Sequence, residues 1–155
     1  MKKVIFVALM AIAFQANSQT LVSFRAGGSL FDGANYFGPG ASVQRQLGEH
    51  FTAGLNLDYH TGKSSASFLT IEPRIDYFFD KSFQGFHIGS NIAYSAFSYT
   101  GGSSGFFNIG ATAGYSKAII GENIIFDATL GLGSMYGSGT SFFVARPALS
   151  LGYNF

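Results

Sequence analysis

Hydrophobic and polar residues alternate along most of this chain with a period of two. The clearest stretch is 51–59, where Phe51, Ala53, Leu55, Leu57 and Tyr59 share one face and Thr52, Gly54, Asn56 and Asp58 the other. Near 107–116, Phe107, Ile109, Ala111, Ala113 and Tyr115 oppose Asn108, Gly110, Thr112, Gly114 and Ser116. Near 124–133, Ile124, Phe126, Ala128, Leu130 and Leu132 oppose Asp127, Thr129, Gly131 and Gly133. Successive side chains of a strand point to opposite faces, so this pattern predicts strands. Eight such segments are expected, at 20–30, 37–47, 51–59, 68–79, 86–99, 106–117, 123–134 and 142–155. None shows helical spacing, and their glycines would weaken a helix.

The connectors are expected to alternate in kind. Those at 48–50, 80–84 and 118–122 are tight, while those at 31–36, 60–67, 100–105 and 135–141 are longer and richer in Gly and Ser. Segments of about ten residues suit a strand tilted across a bilayer, with short turns on one side and longer loops on the other.

Charge placement agrees with that reading. Asp32, Glu49, Lys63, Asp80, Lys81, Lys117 and Glu122 fall in connectors or at turns. Arg25, Asp58, Glu72, Arg74, Asp76, Asp127 and Arg146 fall on the polar phase of a strand. Arg45 alone takes the apolar phase, near a strand end from which a long side chain reaches the headgroups. A charge on the lipid face of a barrel costs about 2–4 kcal/mol at mid-bilayer. A secreted soluble barrel would need the reverse arrangement, with apolar stripes inside and charges outside.

Composition narrows the class. The chain is 47% hydrophobic and only 11% charged, with 21 Gly and 18 Phe. Soluble domains carry about 25% charged residues, so much of this surface meets something other than water. There is no cysteine, which excludes disulfides, thiol chemistry and a lipidated N-terminal cysteine. Lys2 and Lys3, the apolar run 4–14 and the small residues Ala16 and Ser18 form a secretory signal peptide. Cleavage is expected after Ser18, giving a signal peptide over 1–18 and one domain over 19–155. Outside the signal peptide 7 basic residues face 8 acidic ones, because Lys2 and Lys3 account for two of the 9. Without a basic patch, nucleic-acid binding has no electrostatic basis.

The closing segment RPALSLGYNF places Leu149, Leu151, Tyr153 and Phe155 on one face and ends on an aromatic. This resembles the C-terminal insertion signal of outer-membrane β-barrels. With IEPRIDYFF at 71–79 and the overall architecture, the chain resembles the small eight-stranded OmpA/OmpX-type barrels. It is most similar to the bare-barrel versions common in Bacteroidetes-like bacteria. The resemblance implies an all-β, antiparallel, transmembrane up-and-down barrel in the Gram-negative outer membrane. It implies contact with outer-membrane lipid and insertion by the barrel assembly machinery. It implies no single activity, because the family includes scaffolds, adhesins, small channels and a few lipid-modifying enzymes. The chain is expected to act as a monomer, to need no cofactor or metal, and to carry no peptidoglycan-binding domain.

The inward charges are the candidate site. Glu72, Arg74 and Asp76 alternate along one strand, Asp58 lies beside them, and Arg25 and Arg146 come from strands that meet on closure. Asp127 completes the set. Eight strands leave a lumen barely wide enough for side chains, so these groups read first as a polar plug. An ion path is the alternative, kept open by interior glycines such as Gly54, Gly89, Gly110, Gly114, Gly131, Gly133 and Gly152. Glycosidase chemistry at Asp58, Glu72 and Asp76 would need a wider lumen. His50, His60 and His87 lie on different elements without ligand spacing. His60 with Ser64 or Ser65 is the one offer for an enzyme acting on outer-leaflet lipid.

Two structural expectations complete the reading. Phe37, Phe51, Tyr59, Phe68, Tyr77, Phe79, Phe86, Tyr94, Phe107, Tyr115, Phe126, Phe143, Tyr153 and Phe155 read as interfacial girdles, and Tyr36, Tyr99 and Tyr136 as loop aromatics. Pro39, Pro73 and Pro147 fall inside strands, where a bulge or a frayed rim is expected to absorb each missing donor.

Overall fold

The computed structural model describes residues 18–31, 33–62, 66–137 and 139–155. The expected signal peptide therefore lies, save for Ser18, outside the described residues, as do Asp32, Lys63, Ser64, Ser65 and Ser138. The described chain is eight strands: β1 (Thr20–Phe31), β2 (Ala34–Gln46), β3 (Phe51–Thr61), β4 (Ser67–Phe78), β5 (Gly85–Tyr99), β6 (Gly102–Ile120), β7 (Ile124–Gly137) and β8 (Thr140–Asn154). Each pairs antiparallel with the next, and β8 pairs with β1 to close the barrel.

The strands run further than the sequence indicates at the end opposite the termini. There the connectors shrink to 32–33, 62–66, 100–101 and 138–139, while 47–50, 79–84 and 121–123 lie at the end carrying the termini. The expected contrast of short and long connectors is therefore absent. The reason is local. The members of the last pair in three ladders, Phe31↔Ala34, Tyr99↔Gly102 and Gly137↔Thr140, are separated by only two residues along the chain. Gly33, Gly101 and Gly139 have φ of 75°, 107° and 77°, left-handed values that glycine adopts without steric cost. Gly- and Ser-rich flanks that read as loops are held in the ladder by these short connections.

The prolines do not bulge. Pairing keeps one register on either side of each and drops two bridge pairs: between Phe37↔Thr61 and Gly40↔Asp58, between Ile71↔Tyr94 and Arg74↔Asn91, and between Gly27↔Ala148 and Leu30↔Ala145. Antiparallel ladders alternate bonded with non-bonded pairs. Bonds from Leu47 to Phe51, from Phe79 to Phe86, and between Thr20 and Phe155 set the phase of the three seams. In each seam that phase puts the proline in a bonded pair, opposite Tyr59, Ile92 or Gly28. The one register shift among the described residues lies instead between Ala118 and Ile120, at the end carrying the termini.

The barrel is apolar outside. Phe24 (64% exposed), Ile88 (51%) and Leu149 (54%) exemplify an outer face of large hydrophobic residues on every strand. Leu151, Tyr153 and Phe155 continue that face to the end of the chain, with the last two rings 4.8 Å apart. Arg45 on this phase donates from Nε to Ser18 Oγ at 2.8 Å. Lys117, expected at a turn, also takes this phase, within β6 and opposite Phe126.

Candidate functional site

Inside, the barrel is filled in three layers. At the end opposite the termini, Phe31, Tyr36, Phe68, Phe97, Phe106 and Phe142 form an aromatic cap. Phe68 stacks on Phe97 at 4.5 Å, and Phe31 stacks on Phe142 across the β1–β8 seam at 5.2 Å. Two of the girdle and loop assignments fail here. Phe68 is buried in the cap because it shares the parity of Glu72, Arg74 and Asp76, the inward phase of β4. Tyr36 is buried beside it on the inward phase of β2. Tyr99 and Tyr136 also lie in strands rather than loops, on exposed positions.

At the end carrying the termini, Leu21, Phe78, Phe83 and Ile125 close the lumen. Phe83 reaches inward from the 79–84 turn with φ 66°, unusual for a bulky residue. The turn is clamped onto 48–50: Ser82 Oγ donates to the carbonyls of Gly48 (3.1 Å) and Glu49 (3.0 Å).

Between these apolar layers lies the charge layer. Arg25, Asp58, Glu72, Arg74, Asp76 and Asp127 are buried, and Arg146 is half-buried. They resolve into separate pairs. Arg25 Nε donates to Asp58 Oδ1 at 3.2 Å, reaching across β2 over Gly40. Arg74 holds Asp76 through two bonds of 2.6 Å, and Thr112 adds a third at 3.1 Å. Glu72 accepts from Asn56 (2.8 Å) and Asn91 (2.6 Å) and meets Arg146 across the lumen at 2.5 Å. Arg146 also donates to Asn108 Oδ1 at 2.8 Å. Asp127 accepts from Ser116 at 2.6 Å, from Thr129 at 2.5 Å and from His87 Nε2 at 2.8 Å. Arg74 lies between Glu72 and Asp76 along β4 and bonds Asp76. Its planar fork matches the one carboxylate two residues along, and Arg25 and Arg146 take Asp58 and Glu72.

Two members of the lumen escape a reading based on charge. His87 is buried against Asp127, with Nδ1 3.8 Å from Asp76 Oδ1. His60 is buried with Nδ1 3.2 Å from Ser29 Oγ. Strand parity would have found both: His87 shares the phase of Gly89, and His60 that of Asp58. His60's serine neighbour is Ser29, while Ser64 and Ser65 lie outside the described residues. Ser29 and His60 are each only 3% exposed, so this pair does not face a substrate. No cluster of three metal-ligating side chains occurs among the described residues.

The glycines supply room that side chains then occupy. A Cβ at Gly114 would meet His87 Nε2, one at Gly110 would meet Asn91 Oδ1 at 2.8 Å, and one at Gly89 would meet Asp76 Oδ1. Open space for an ion path is therefore not what they provide. A cavity of about 20 Å³ remains in the charge layer, room for about one water.

A lipid-compatible exterior around a charged, packed interior defines an integral membrane β-barrel. Known structures place that fold. No protein-family model and no curated protein matches the chain. Neisserial surface protein A is similar in structure, with a TM-score of 0.66 and 15% identity over 90% of this chain and 96% of its own. The N-terminal β-barrel domain of Pseudomonas aeruginosa OprF superposes with a TM-score of 0.56 and 20% identity, covering 90% of this chain and all of its own. A de novo designed transmembrane β-barrel gives 0.50 and 14% over 91% and 98%. The chain has the fold of the small eight-stranded outer-membrane barrels.

Proposed function

We propose that this protein is an integral barrel of the Gram-negative outer membrane with a structural or envelope-interaction role and no catalysis. Its lumen is a closed plug. The observation carrying this reading is the three-layer filling, in which an aromatic cap and an apolar stopper enclose paired charges. Lipid covers the outer face, the barrel assembly machinery inserts the chain through a signal containing Leu149, Leu151, Tyr153 and Phe155, and the protein acts as a monomer. Its termini face the periplasm, as in even-stranded barrels. The short connectors at the other end leave little chain outside the bilayer for a protein partner to grip.

Refolded protein in a planar bilayer tests the plug. The expected record shows no steady conductance above the bare membrane. Reproducible openings in the wild type would establish the narrow-channel alternative instead.

A further inference from the structure

In the charge layer each arginine holds one carboxylate: Arg25 holds Asp58, Arg74 holds Asp76 and Arg146 holds Glu72. The fourth carboxylate, Asp127, has no guanidinium bonded to it among the described residues. The hydroxyls of Ser116 and Thr129 donate to it, and neither carries charge. Its remaining partner is His87 Nε2 at 2.8 Å. His87 has a carboxylate at each ring nitrogen. Its Nδ1 lies 3.8 Å from Asp76 Oδ1 and has no hydrogen-bond partner. Its side chain is 1% exposed and that of Asp76 0%, so bulk water screens neither. A neutral ring donating from Nε2 to Asp127 would turn the bare Nδ1 lone pair toward a second buried carboxylate. The other neutral tautomer would turn a lone pair toward Asp127. A ring protonated on both nitrogens meets both carboxylates with an N–H. No other charge competes for it. From β4, Arg74 is already spent on Asp76, and from β6 the ring meets Gly114. The ring of Phe78, part of the apolar stopper, lies 4.7 Å from the imidazole.

We propose that His87 is the fourth cation of the layer and a pH-sensitive latch on the plug. While the ring is an imidazolium, every buried carboxylate has a positive partner and the lumen closes without net charge. When the ring loses its proton, Asp127 becomes a buried charge with no counter-charge, which the interior penalises heavily. Phe78 carries that disturbance into the stopper. The latch rests on the closed-plug reading, whereas the charge on the ring does not. A conducting wild type speaks against the plug alone, so the two failures are told apart.

The test uses the refolded barrel with nitrogen-labelled histidine, observed by NMR in micelles at about pH 7.5, where a free histidine is mostly neutral. The His87 signals, identified by their loss in His87→Gln, should show a hydrogen on both ring nitrogens. In Asp127→Asn the same ring should turn neutral. Urea unfolding from lipid vesicles reads the latch. The unfolded chain sheds histidine protons near pH ~6.5 while the folded layer keeps this one, so above that pH the unfolded state binds fewer protons and stability falls as pH rises. His50 and His60 are present in both proteins, so wild type compared with His87→Gln isolates His87. The wild-type midpoint should fall relative to that of the variant between about pH 6 and about pH 9. A neutral His87 at about pH 7.5, or midpoints that move in parallel, overturns the proposal. Should His87→Gln fail to refold, His50→Gln and His60→Gln remove the other two histidine signals, and the charge on the remaining ring decides by itself.

Discussion

Pro147 stands opposite Gly28 in the seam that closes the barrel, at a position where the ladder calls for two hydrogen bonds and proline cannot donate the one that falls to it. The Phe37 ring lies over Gly28, close enough that a Cβ there would strike its Cδ1. Above the gap, Phe31 stacks on Phe142 from one side of the seam to the other. Aromatic contacts thus close the seam where backbone bonds stop. Pro39 and Pro73 interrupt their own seams in the same phase, opposite Tyr59 and Ile92.

Pro147→Ala restores the donor without changing the register. The new amide at 147 should be protected from hydrogen exchange to about the degree of Leu149, measured by NMR in micelles. In a bilayer an unmet backbone group costs more than in water, so the repaired barrel should also unfold at a higher urea concentration. Rapid exchange at 147 would show that Gly28 does not accept there.

Arg74 and Arg146 differ in what they leave behind. Removing Arg74 deprives Asp76 of both of its guanidinium bonds in a fully buried setting, a loss of about 3–5 kcal/mol for a stranded buried charge. Removing Arg146 leaves Glu72 with the amides of Asn56 and Asn91. Arg74→Ala should therefore destabilise more than Arg146→Ala in urea unfolding from lipid vesicles. Adding Asp76→Leu to Arg74→Met should recover much of the loss. Equal costs for the two single arginine variants would contradict the pairing described here.

Much of this was legible in the sequence because a barrel strand has only two faces. Once Glu72, Arg74 and Asp76 fix the inward phase of β4, every other residue of β4 is placed. The same parity assigns Phe68, His60 and His87 to the lumen, but an aromatic near a strand end also fits a girdle, and a histidine is not among the fixed charges that flagged the inward phase. Which carboxylate each arginine takes was not legible. Arg25 meets Asp58 across an intervening strand, and only the register of β1, β2 and β3 places Gly40 between them. Phe83 was hidden for a different reason: it lies in a turn, where parity says nothing, and its inward direction depends on a left-handed backbone.

Two lumen glycines should respond differently to the same change. A Cβ at Gly114 would meet His87 Nε2 at 2.5 Å and the Ala128 carbonyl at 2.6 Å, pushing the ring from Asp127. At Gly131 the nearest atoms are 3.6 Å away, ordinary contact. Gly114→Ala should lose roughly 1–3 kcal/mol by overpacking, whereas Gly131→Ala should be close to neutral. Melting of the two variants in one detergent makes the comparison, and a neutral Gly114→Ala would show that His87 has another place to go.

Deletion of Phe155 tests biogenesis. Its ring packs on Tyr153 at the end of the closing strand, and its backbone bonds both ways with Thr20. The truncated chain should accumulate in the periplasm with lower outer-membrane levels, as seen by fractionation. Unchanged membrane levels would remove the insertion role assigned to this residue.

Phe83 sets two effects against each other at one position. Its ring is buried among Leu21, Phe78 and Ile125, so truncation to Ala should cost about 3–5 kcal/mol. Its φ of 66° is a conformation that side-chain-bearing residues adopt at a cost of roughly 1–2 kcal/mol and glycine adopts freely. In an ordinary extended site Gly is the worse of the two small residues by about 0.5–1 kcal/mol. Here the order should invert, with Phe83→Gly more stable than Phe83→Ala by about 1 kcal/mol. Both variants should still give a silent bilayer, because the charge layer and the aromatic cap remain. Urea unfolding of the pair reads the sign directly. Ala above Gly would mean that the turn relaxes out of the left-handed region once the ring is gone, and that the stopper rather than the backbone holds Phe83 in place.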